Sequence, residues 1–323
     1  MDYLKILITG GSGFIGSNFI RFFLKKHAST KIVNLDKLTY AGRQENLLDV
    51  EKDSRYKFIQ GDICDPAVVE KAMAGCDAVV HFAAESHVDR SISDSGAFIQ
   101  TNVFGTFVVL EAARKAGVKK FVQISTDEVY GQILEGKFSE SSPLLPRNPY
   151  SASKCAADRL AYSFFATYHL PVVITRSSNN YGPFQFPEKV IPLFATNLLR
   201  GKKVPLYGEG KQIRDWLHVD DNAEAIDVVL HQGKNGEVYN IGGGNEVANI
   251  DLTRLILSHF KKGNESIERV ADRLGHDFRY ALDTRKIERE LGWKPRIEFK
   301  KGLAQTLDWY HDNEWWWKPL VKG

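Results

Sequence analysis

Three features of this chain predict an α/β fold with a doubly wound parallel sheet. Short apolar runs alternate with longer helical patterns through the first half, a glycine-rich turn joins the first run to the first helix, and an acidic residue closes the second run. Alternating strand and helix is the mark of a parallel sheet covered by helices, and such a sheet binds its ligand at the carboxyl ends of the strands.

The apolar runs predict strands at 5–9, 31–36, 57–60, 78–83, 120–126 and 172–177, with helices at about 13–26, 66–73, 97–115 and 150–168 between them. After Tyr181 the pattern loosens, and glycine, proline and aromatic residues interrupt short elements at 189–199 and 223–231. A further apolar run, 238–241, followed by Gly242-Gly243-Gly244, is expected to return to the main sheet. The predicted organisation is therefore two interleaved parts: a Rossmann-like dinucleotide-binding part, 1–175 plus about 214–247, and a smaller substrate-binding part, about 176–213 plus 248–323. The helical stretches 97–115 and 150–168 carry apolar residues on more than one face, including Phe98, Phe104, Phe107, Leu110, Leu160, Phe164 and Phe165. One stripe suffices to cover a sheet, so the surplus is expected to meet either the second part or a partner subunit.

Composition narrows the classes of function. Apolar residues make up 43% of the 323 and charged residues 26%, ordinary globular usage that argues against disorder. The formal charge of +3 without a basic cluster argues against a nucleic-acid partner. No signal-peptide pattern stands at the N-terminus, and no apolar stretch is expected to reach the ~20 residues of a membrane span. Cys64, Cys76 and Cys155 are few and not at ligand spacing, so neither a disulfide framework nor a metal site is expected, and a cytoplasmic location fits.

The first turn reads Thr9-Gly10-Gly11-Ser12-Gly13-Phe14-Ile15-Gly16. Glycines at this spacing permit a tight turn and let backbone approach a pyrophosphate held at a helix N-terminus. Asp36, twenty residues beyond Gly16, is placed to accept hydrogen bonds from ribose hydroxyls and to repel an extra phosphate, which favours NAD over NADP. Lys37 and Arg43 are cations that would tolerate that phosphate. Asp62-Ile63 and Ala83-Ala84-Glu85-Ser86 follow the third and fourth strands and should border the same crevice. Asp62 either bonds the adenine amino group or caps the helix beginning near Pro66.

Tyr150 and Lys154 stand four apart at a helix start and so share a face. An ammonium beside a phenol lowers the phenol pKa, giving a general base for a substrate hydroxyl. With the glycine turn, this pair resembles the extended short-chain dehydrogenase/reductase family. Ser125-Thr126-Asp127-Glu128-Val129-Tyr130-Gly131, Arg176-Ser177-Ser178-Asn179-Asn180-Tyr181-Gly182-Pro183, Phe186-Pro187-Glu188-Lys189 and Arg214-Asp215-Trp216 narrow it to the dTDP-glucose 4,6-dehydratases. Asn249-Ile250-Asp251, Asp272 to Asp277 and Glu290 to Pro295 extend the likeness nearly end to end.

That resemblance implies a reaction in which oxidation of the sugar at carbon 4 makes the carbon-5 proton acidic. Tyr150 would take the carbon-4 hydroxyl proton while NAD accepts the hydride; Glu128 would remove the carbon-5 proton; Asp127 would protonate the departing carbon-6 hydroxyl. The hydride then returns to carbon 6. Thr126 either bonds the carbon-4 oxygen or simply finishes its strand. Adjacent carboxyls in different environments can hold the opposite protonation states these roles need. The expected cofactor set is Gly10, Gly13, Phe14, Ile15, Gly16, Asp36, Lys37, Thr39, Asp62, Ile63, Ala83, Ala84, Ser86, Thr101, Tyr150, Lys154 and Asn180. For the nucleotide sugar it is Ser86, Thr126, Asn179, Glu188, Lys189, Val190, Pro205, Tyr207, Arg214, Asn249, Arg273 and His276. Arg214 and Arg273 lead because guanidinium pairs well with phosphate, although Arg214 has Asp215 beside it as an alternative partner. His276 has no second histidine or cysteine at ligand spacing, so no metal role is expected.

Two departures from the family stand out: a short segment between Gly131 and Tyr150, and Leu274 where proline is common. The Trp315-Trp316-Trp317 run has no family role and is expected to pack a terminal helix rather than meet a membrane. A homodimer follows from the resemblance. The rival readings are a nucleotide-sugar 4-epimerase, which would not need Asp127-Glu128, a UDP-glucose 4,6-dehydratase, and a non-catalytic dinucleotide sensor, which would not need Tyr150 and Lys154.

Overall fold

The structure is a computed structural model that describes residues 3–272 and 274–321. The strands are β1 (Lys5–Thr9), β2 (Lys31–Asp36), β3 (Tyr56–Gln60), β4 (Ala78–His81), β5 (Lys120–Thr126) and β6 (Val172–Ser177), then β7 (Asn179–Tyr181), β8 (Val204–Tyr207), β9 (Ile213–His218), β10 (Val238–Ile241), β11 (Glu246–Ala248) and β12 (Ile267–Val270). The helices are α1 (Phe14–Lys26), α2 (Pro66–Met73), α3 (Val88–Ser93), α4 (Ser95–Phe98), α5 (Thr106–Ala116), α6 (Pro149–Tyr168), α7 (Val190–Leu199), α8 (Val219–Gln232), α9 (Asn249–His259), α10 (Arg285–Leu291), α11 (Phe299–Asp312) and α12 (Glu314–Trp317).

Seven parallel strands form the main sheet in the order β10-β6-β5-β4-β1-β2-β3. Every residue of β4 and of β6 is buried, as it must be in a sheet covered on both faces. One face packs on Phe19, Ile20 and Phe23 of α1 and Ile226 and Val229 of α8. The other packs on Val69 of α2, Val109 and Leu110 of α5 and Phe164 of α6. Strand order reverses at β1, whose neighbours are β2 and β4, so the crevice of a doubly wound sheet opens there.

A second layer stands over those carboxyl ends. Its three strands run β11-β9-β7, with β8 and β12 as a separate parallel pair. A core of Ile191, Phe194, Trp216, Leu252, Leu303, Tyr310, Trp316 and Trp317 joins α7, α9, α11 and α12. Thus β9, which opens the segment 214–247, joins this small sheet, while α8 and β10 of the same segment belong to the large one. The tryptophan run packs a terminal helix: Trp316 and Trp317 are buried and Trp315 is exposed.

Strands 5–9, 31–36, 120–126, 172–177 and 238–241 stand at their expected limits. The one expected at 78–83 ends at His81, because Ala83 turns against Gly10 and its amide faces the Thr9 hydroxyl at 3.4 Å. The helix expected at 223–231 begins four residues earlier, at Val219, where His218 caps it and Asp220 and Asp221 favour the positive end of its dipole. The helix expected at 97–115 is a composite in which α4 passes through a π-helical stretch, Ile99–Gly105, into α5. That composite, Ser95–Ala116, corrects the expectation about apolar length: its 22 residues are long and apolar enough to cross a bilayer, and half of its apolar stretch is buried in the protein.

His27, at the end of α1, and His231, on α8, both approach Asp227. His27 Nε2 lies 2.8 Å from Asp227 Oδ1, and Lys26 Nζ lies 2.8 Å from Oδ2. His231 Nδ1 lies 2.8 Å from the Asp227 carbonyl, which only accepts, so that nitrogen carries the hydrogen. Among the described residues this is the group of His, Cys, Asp or Glu close enough to share a metal ion, but the Lys26 ammonium already neutralises its only carboxylate. It reads as a charged clasp between the two helices. Burial would raise the Asp227 pKa, yet bonds from His231 and Lys26 win and bring it down to about 2. Burial would lower that of His231, yet the side chain and carbonyl of Asp227 raise it.

A raised histidine pKa contributes stability below its unfolded value, and that contribution is lost as pH rises through the folded one. The deficit of His231→Gln in urea unfolding is therefore expected to be about 1 kcal/mol larger at pH about 5.5 than at pH about 9. An equal deficit at both pH values would refute the charged clasp.

Candidate active site

The turn after β1 is set by how closely the chain approaches itself. Gly10 has φ +69°, and a Cβ there would stand 2.5 Å from the Ala83 amide nitrogen. A Cβ on Gly16 would stand 2.4 Å from the Gly10 carbonyl oxygen. These two glycines bring β1, β4 and the start of α1 together. The helix begins at Gly13 without a side-chain cap, leaving its first amides to serve an anion. Asp36 is held by the Ser12 amide on Oδ2 (2.9 Å) and the Leu38 amide on Oδ1 (2.8 Å). Lys37 pairs with Asp62 at 2.7 Å and Arg43 with Glu45 at 2.9 Å, so both nearby cations are engaged. The cap of α2 is Asp65, which accepts from Ala67 and Val68; Asp62 instead faces the crevice.

One cavity follows this crevice and gathers the whole expected cofactor set, from Gly10, Gly13, Phe14, Ile15 and Gly16 through Asp36, Lys37, Thr39, Asp62, Ile63, Ala83, Ala84, Ser86 and Thr101 to Tyr150, Lys154 and Asn180. It also holds Thr126, Asp127, Glu128, Asn179, Glu188 and Lys189. Val190, Pro205, Tyr207, Arg214, Asn249 and His276 are not in its lining, and Arg273 lies outside the described residues. Three of these group nearby: the Tyr207 hydroxyl is 3.4 Å from Asp89 Oδ2, the His276 ring stands 6.0 Å from that of Tyr207, and the Asn249 amide donates to the Gln212 carbonyl at 2.9 Å.

Thr126 ends β5 and Asp127 opens a single 3-10 turn, Asp127–Tyr130, which aims both carboxyls over the strand end. Asp127 is 2% exposed. Burial holds its carboxyl well above the usual range, the charges of Glu128 and Asp215 push the same way, and Arg214 and the Thr126 hydroxyl oppose them. Burial and the neighbouring carboxyls thus favour the protonated form of Asp127. Glu128 is only half-buried and accepts from Asn148 at 3.4 Å.

Tyr150 sits in the first turn of α6, fixed by an Asn148–Ser151 capping box with Pro149 at the helix start. Its phenol corrects one expectation. Lys154 shares its face, but the Lys154 ammonium donates to the Ile124 carbonyl at 2.6 Å, and burial pushes the lysine itself down to about 8. The Tyr150 pKa is raised: burial dominates, Glu128 and Asp127 add to it, and only the Thr126 hydroxyl opposes. Arg214 does not take its alternative partner. It forms no pair with Asp215; its guanidinium donates to the carbonyls of Asp277 (2.9 Å) and Ile213 (2.8 Å) and lies 4.4 Å over the Tyr280 ring. Glu188 accepts from the Tyr40 hydroxyl at 2.7 Å, and the Lys189 ammonium donates to the Ser86 carbonyl at 2.8 Å.

Comparison with known proteins follows the same lines. The family described as GDP-mannose 4,6 dehydratase matches residues 7–306. The chain belongs to that family. A dTDP-glucose 4,6-dehydratase of Streptomyces niveus is 52% identical over 98% of this chain and 96% of its own length. One from Neisseria meningitidis serogroup B is 48% identical over 99% and 96%. Among solved structures, a dTDP-glucose 4,6-dehydratase from Streptomyces venezuelae with NAD bound superposes with TM-score 0.96 at 51% identity, covering 98% of this chain and 100% of that one. The UDP-glucose 4-epimerase of Thermus thermophilus superposes with TM-score 0.88 at 31% identity, covering 96% and 99%. The resemblance to the dTDP-glucose 4,6-dehydratases read from the sequence is borne out.

Within the family frame, several residues of the site carried no sequence signal. Asn102, 1% exposed, lies in the π-helical stretch that also places Thr101 in the cavity. Its amide nitrogen donates to the Glu85 carbonyl (3.0 Å) and the Ser153 hydroxyl (2.8 Å), while its oxygen accepts from the Glu85 amide (2.8 Å). Asn102 thus ties the loop after β4 to the turn of α6 that carries Tyr150. Gln185 also lines the cavity from a turn outside the quoted motifs, while Ser125 and Ser178, inside them, join the lining without having been assigned a role. Asn148, the cap of α6, also reaches Glu128 and was not singled out from the sequence.

Asn102→Ala strips three buried hydrogen bonds and is expected to cost about 2–3 kcal/mol of stability. Steady-state kinetics below the melting temperature should also show a lower kcat, because Tyr150 loses its brace; an unchanged kcat would leave Asn102 a purely structural residue.

Proposed function

We propose that this chain dehydrates dTDP-glucose to dTDP-4-keto-6-deoxyglucose with NAD as its resident cofactor. The observation that carries the reading is the pair of adjacent carboxyls beside Tyr150, one buried so that its protonated form is favoured and the other half-buried, at the mouth of a dinucleotide crevice. The residues fit NAD: α1 starts uncapped, Asp36 offers a fixed carboxylate, and the buried Asn180 Oδ1, in the cavity lining, bonds to no protein donor. When bound, NAD supplies a hydride acceptor at sugar carbon 4 and a donor at carbon 6, so no net oxidation occurs.

The protein's part is proton handling and positioning. Tyr150 is the base for the carbon-4 hydroxyl proton and must ionise against the shift that burial and Glu128 impose, with Thr126 as hydrogen-bond partner on that oxygen. Lys154 keeps a buried positive charge on the same helix face. Glu128 removes the carbon-5 proton once carbon 4 is a ketone, and Asp127, whose burial favours the protonated form, gives its proton to the departing carbon-6 hydroxyl. Ser86, Asn179, Glu188 and Lys189 hold the sugar end, and Val190, Pro205, Tyr207, Arg214, Asn249, Arg273 and His276 the nucleotide diphosphate. The sugar nucleotide then spans the division between residues 1–175 plus about 214–247 and residues 176–213 plus 248–323. An epimerase, which only oxidises and re-reduces carbon 4, has no work for a proton donor beside a second carboxyl.

The functional unit is proposed to be a cytoplasmic homodimer. Phe104 and Phe107 on α4–α5 are exposed, at 42% and 41%, as are Tyr162 and Tyr168 on α6. These neighbouring helices carry the apolar surplus noted in the sequence, and a second copy would cover it. Light scattering at micromolar concentration should give twice the chain mass; a monomer overturns the dimer.

Purified protein incubated with dTDP-glucose should form a 4-keto-6-deoxy sugar by NMR, faster than with UDP-glucose. Asp127→Asn is expected to lower kcat about 10²–10⁴-fold by removing the donor proton, and Glu128→Gln to do the same by removing the base. A galactose nucleotide as product would favour the epimerase instead. Because Glu128 raises the phenol pKa, Glu128→Gln should also move the Tyr150 titration to lower pH, read by ultraviolet difference against Tyr150→Phe.

A further inference from the structure

We infer that Trp316, in the C-terminal tryptophan run, is a positioning residue for the dinucleotide loop, and that the end of the chain thereby sets how tightly NAD is held. The inference rests on the NAD reading above and adds a residue outside the crevice to it.

The path is short and buried. The Trp316 indole N–H donates to Asn46 Oδ1 at 2.8 Å, and Asn46 Nδ2 donates to the Ser12 carbonyl at 2.8 Å. Ser12 stands between Gly11 and Gly13 of the glycine turn. The same Ser12 carbonyl also accepts from the Arg43 amide at 3.0 Å, and the Arg43 guanidinium returns to the Trp316 carbonyl at 3.1 Å. Ser12, Asn46 and Trp316 are each no more than 1% exposed, so water does not compete for these bonds. The Ser12 amide completes the path by donating to Asp36 at 2.9 Å.

Both donors on the Ser12 carbonyl are thus tied to one tryptophan that is 304 positions away in the chain but adjacent in space. Trp316 is itself wedged among rings of the second layer, with Trp309 at 5.3 Å and Phe184 at 5.7 Å. Phe184 follows Pro183, whose carbonyl accepts from Asn18 of α1 at 3.0 Å. The rigid second layer therefore braces the middle of a turn that consists mostly of glycine and has few side chains of its own to hold it. A loop already in its binding conformation loses less entropy when NAD binds, which is how a residue without ligand contact raises affinity.

Trp317 provides an internal control. Its indole N–H donates to the Tyr310 carbonyl at 2.6 Å within the same core, with no link to the loop. Trp316→Phe and Trp317→Phe each remove one buried N–H donor and keep an aromatic ring. The holoenzymes would be compared by NAD retained through ultrafiltration at graded dilution, with thermal unfolding and thymidine diphosphate affinity measured alongside. Trp316→Phe is expected to raise the NAD dissociation constant about ten-fold while moving thymidine diphosphate affinity less than about two-fold. Trp317→Phe should lower the melting temperature comparably and leave NAD affinity within about two-fold of the wild type.

Equal NAD affinity for Trp316→Phe and wild type, or equal losses in the two variants, overturns the inference while leaving the NAD reading intact. A wild-type protein that binds no NAD overturns both. If Trp316→Phe does not fold, Arg43→Lys, which removes the guanidinium bond to the Trp316 carbonyl and disturbs the pair with Glu45, is compared with Glu45→Gln, which breaks that pair alone; NAD binding about three-fold weaker in the first than in the second is expected, and no difference overturns the inference.

Discussion

Much of this structure depends on a contact that only glycine allows. Gly10 lies so close to Ala83 that a single methyl group would force β1 and β4 apart, and Gly16 lies as close to the Gly10 carbonyl. With those gaps closed, the first turn of α1 points into the crevice between two strand ends. The loop after β4 is bent early, and its Glu85 comes within reach of Asn102. Asn102 in turn holds Ser153 of α6, beside Lys154 and one turn from Tyr150. Cofactor loop and catalytic helix are thereby positioned by the same close approach, through three hydrogen bonds of one buried amide.

Electrostatics in the crevice follow from burial more than from pairing. Desolvation next to two other carboxyls favours the protonated form of Asp127, and Arg214 and Thr126 give only partial relief. The same surroundings disfavour the phenolate of Tyr150. The same burial thus favours the protonated form of both groups, which suits the acid and opposes the phenolate. Arg214 contributes at a distance: buried and bonded to backbone carbonyls, it acts on Asp127 through its charge alone.

The large sheet was legible because parallel strands buried on both faces read as uninterrupted apolar runs, as in Val172-Val173-Ile174-Thr175. The small sheet was not, because β7 and β11 have three residues each and β9 buries Arg214 and Asp215, residue types that sequence patterns assign to surface. The cofactor residues were recoverable since spacing along one strand–turn–helix unit encodes them. Asn102 was not, because a π-helical insertion alters which face a residue presents and leaves no mark in composition. The Tyr150–Lys154 spacing correctly placed two groups on one face, but spacing does not reveal that the Ile124 carbonyl takes the ammonium.

The sheet's edge strand also has a history during synthesis. β10 completes the sheet by pairing with β6 from Ile174–Val238 to Ser177–Ile241, yet between them the chain must first lay down β7, α7, β8, β9 and α8. Until residue 241 has left the ribosome, β6 is an open strand edge made of Val172, Val173 and Ile174. Exposed apolar edges recruit other chains, and parallel pairings closed over long loops form slowly. The last parallel pairing of the large sheet to become possible during synthesis is thus the one that closes this edge from Ile174 onward.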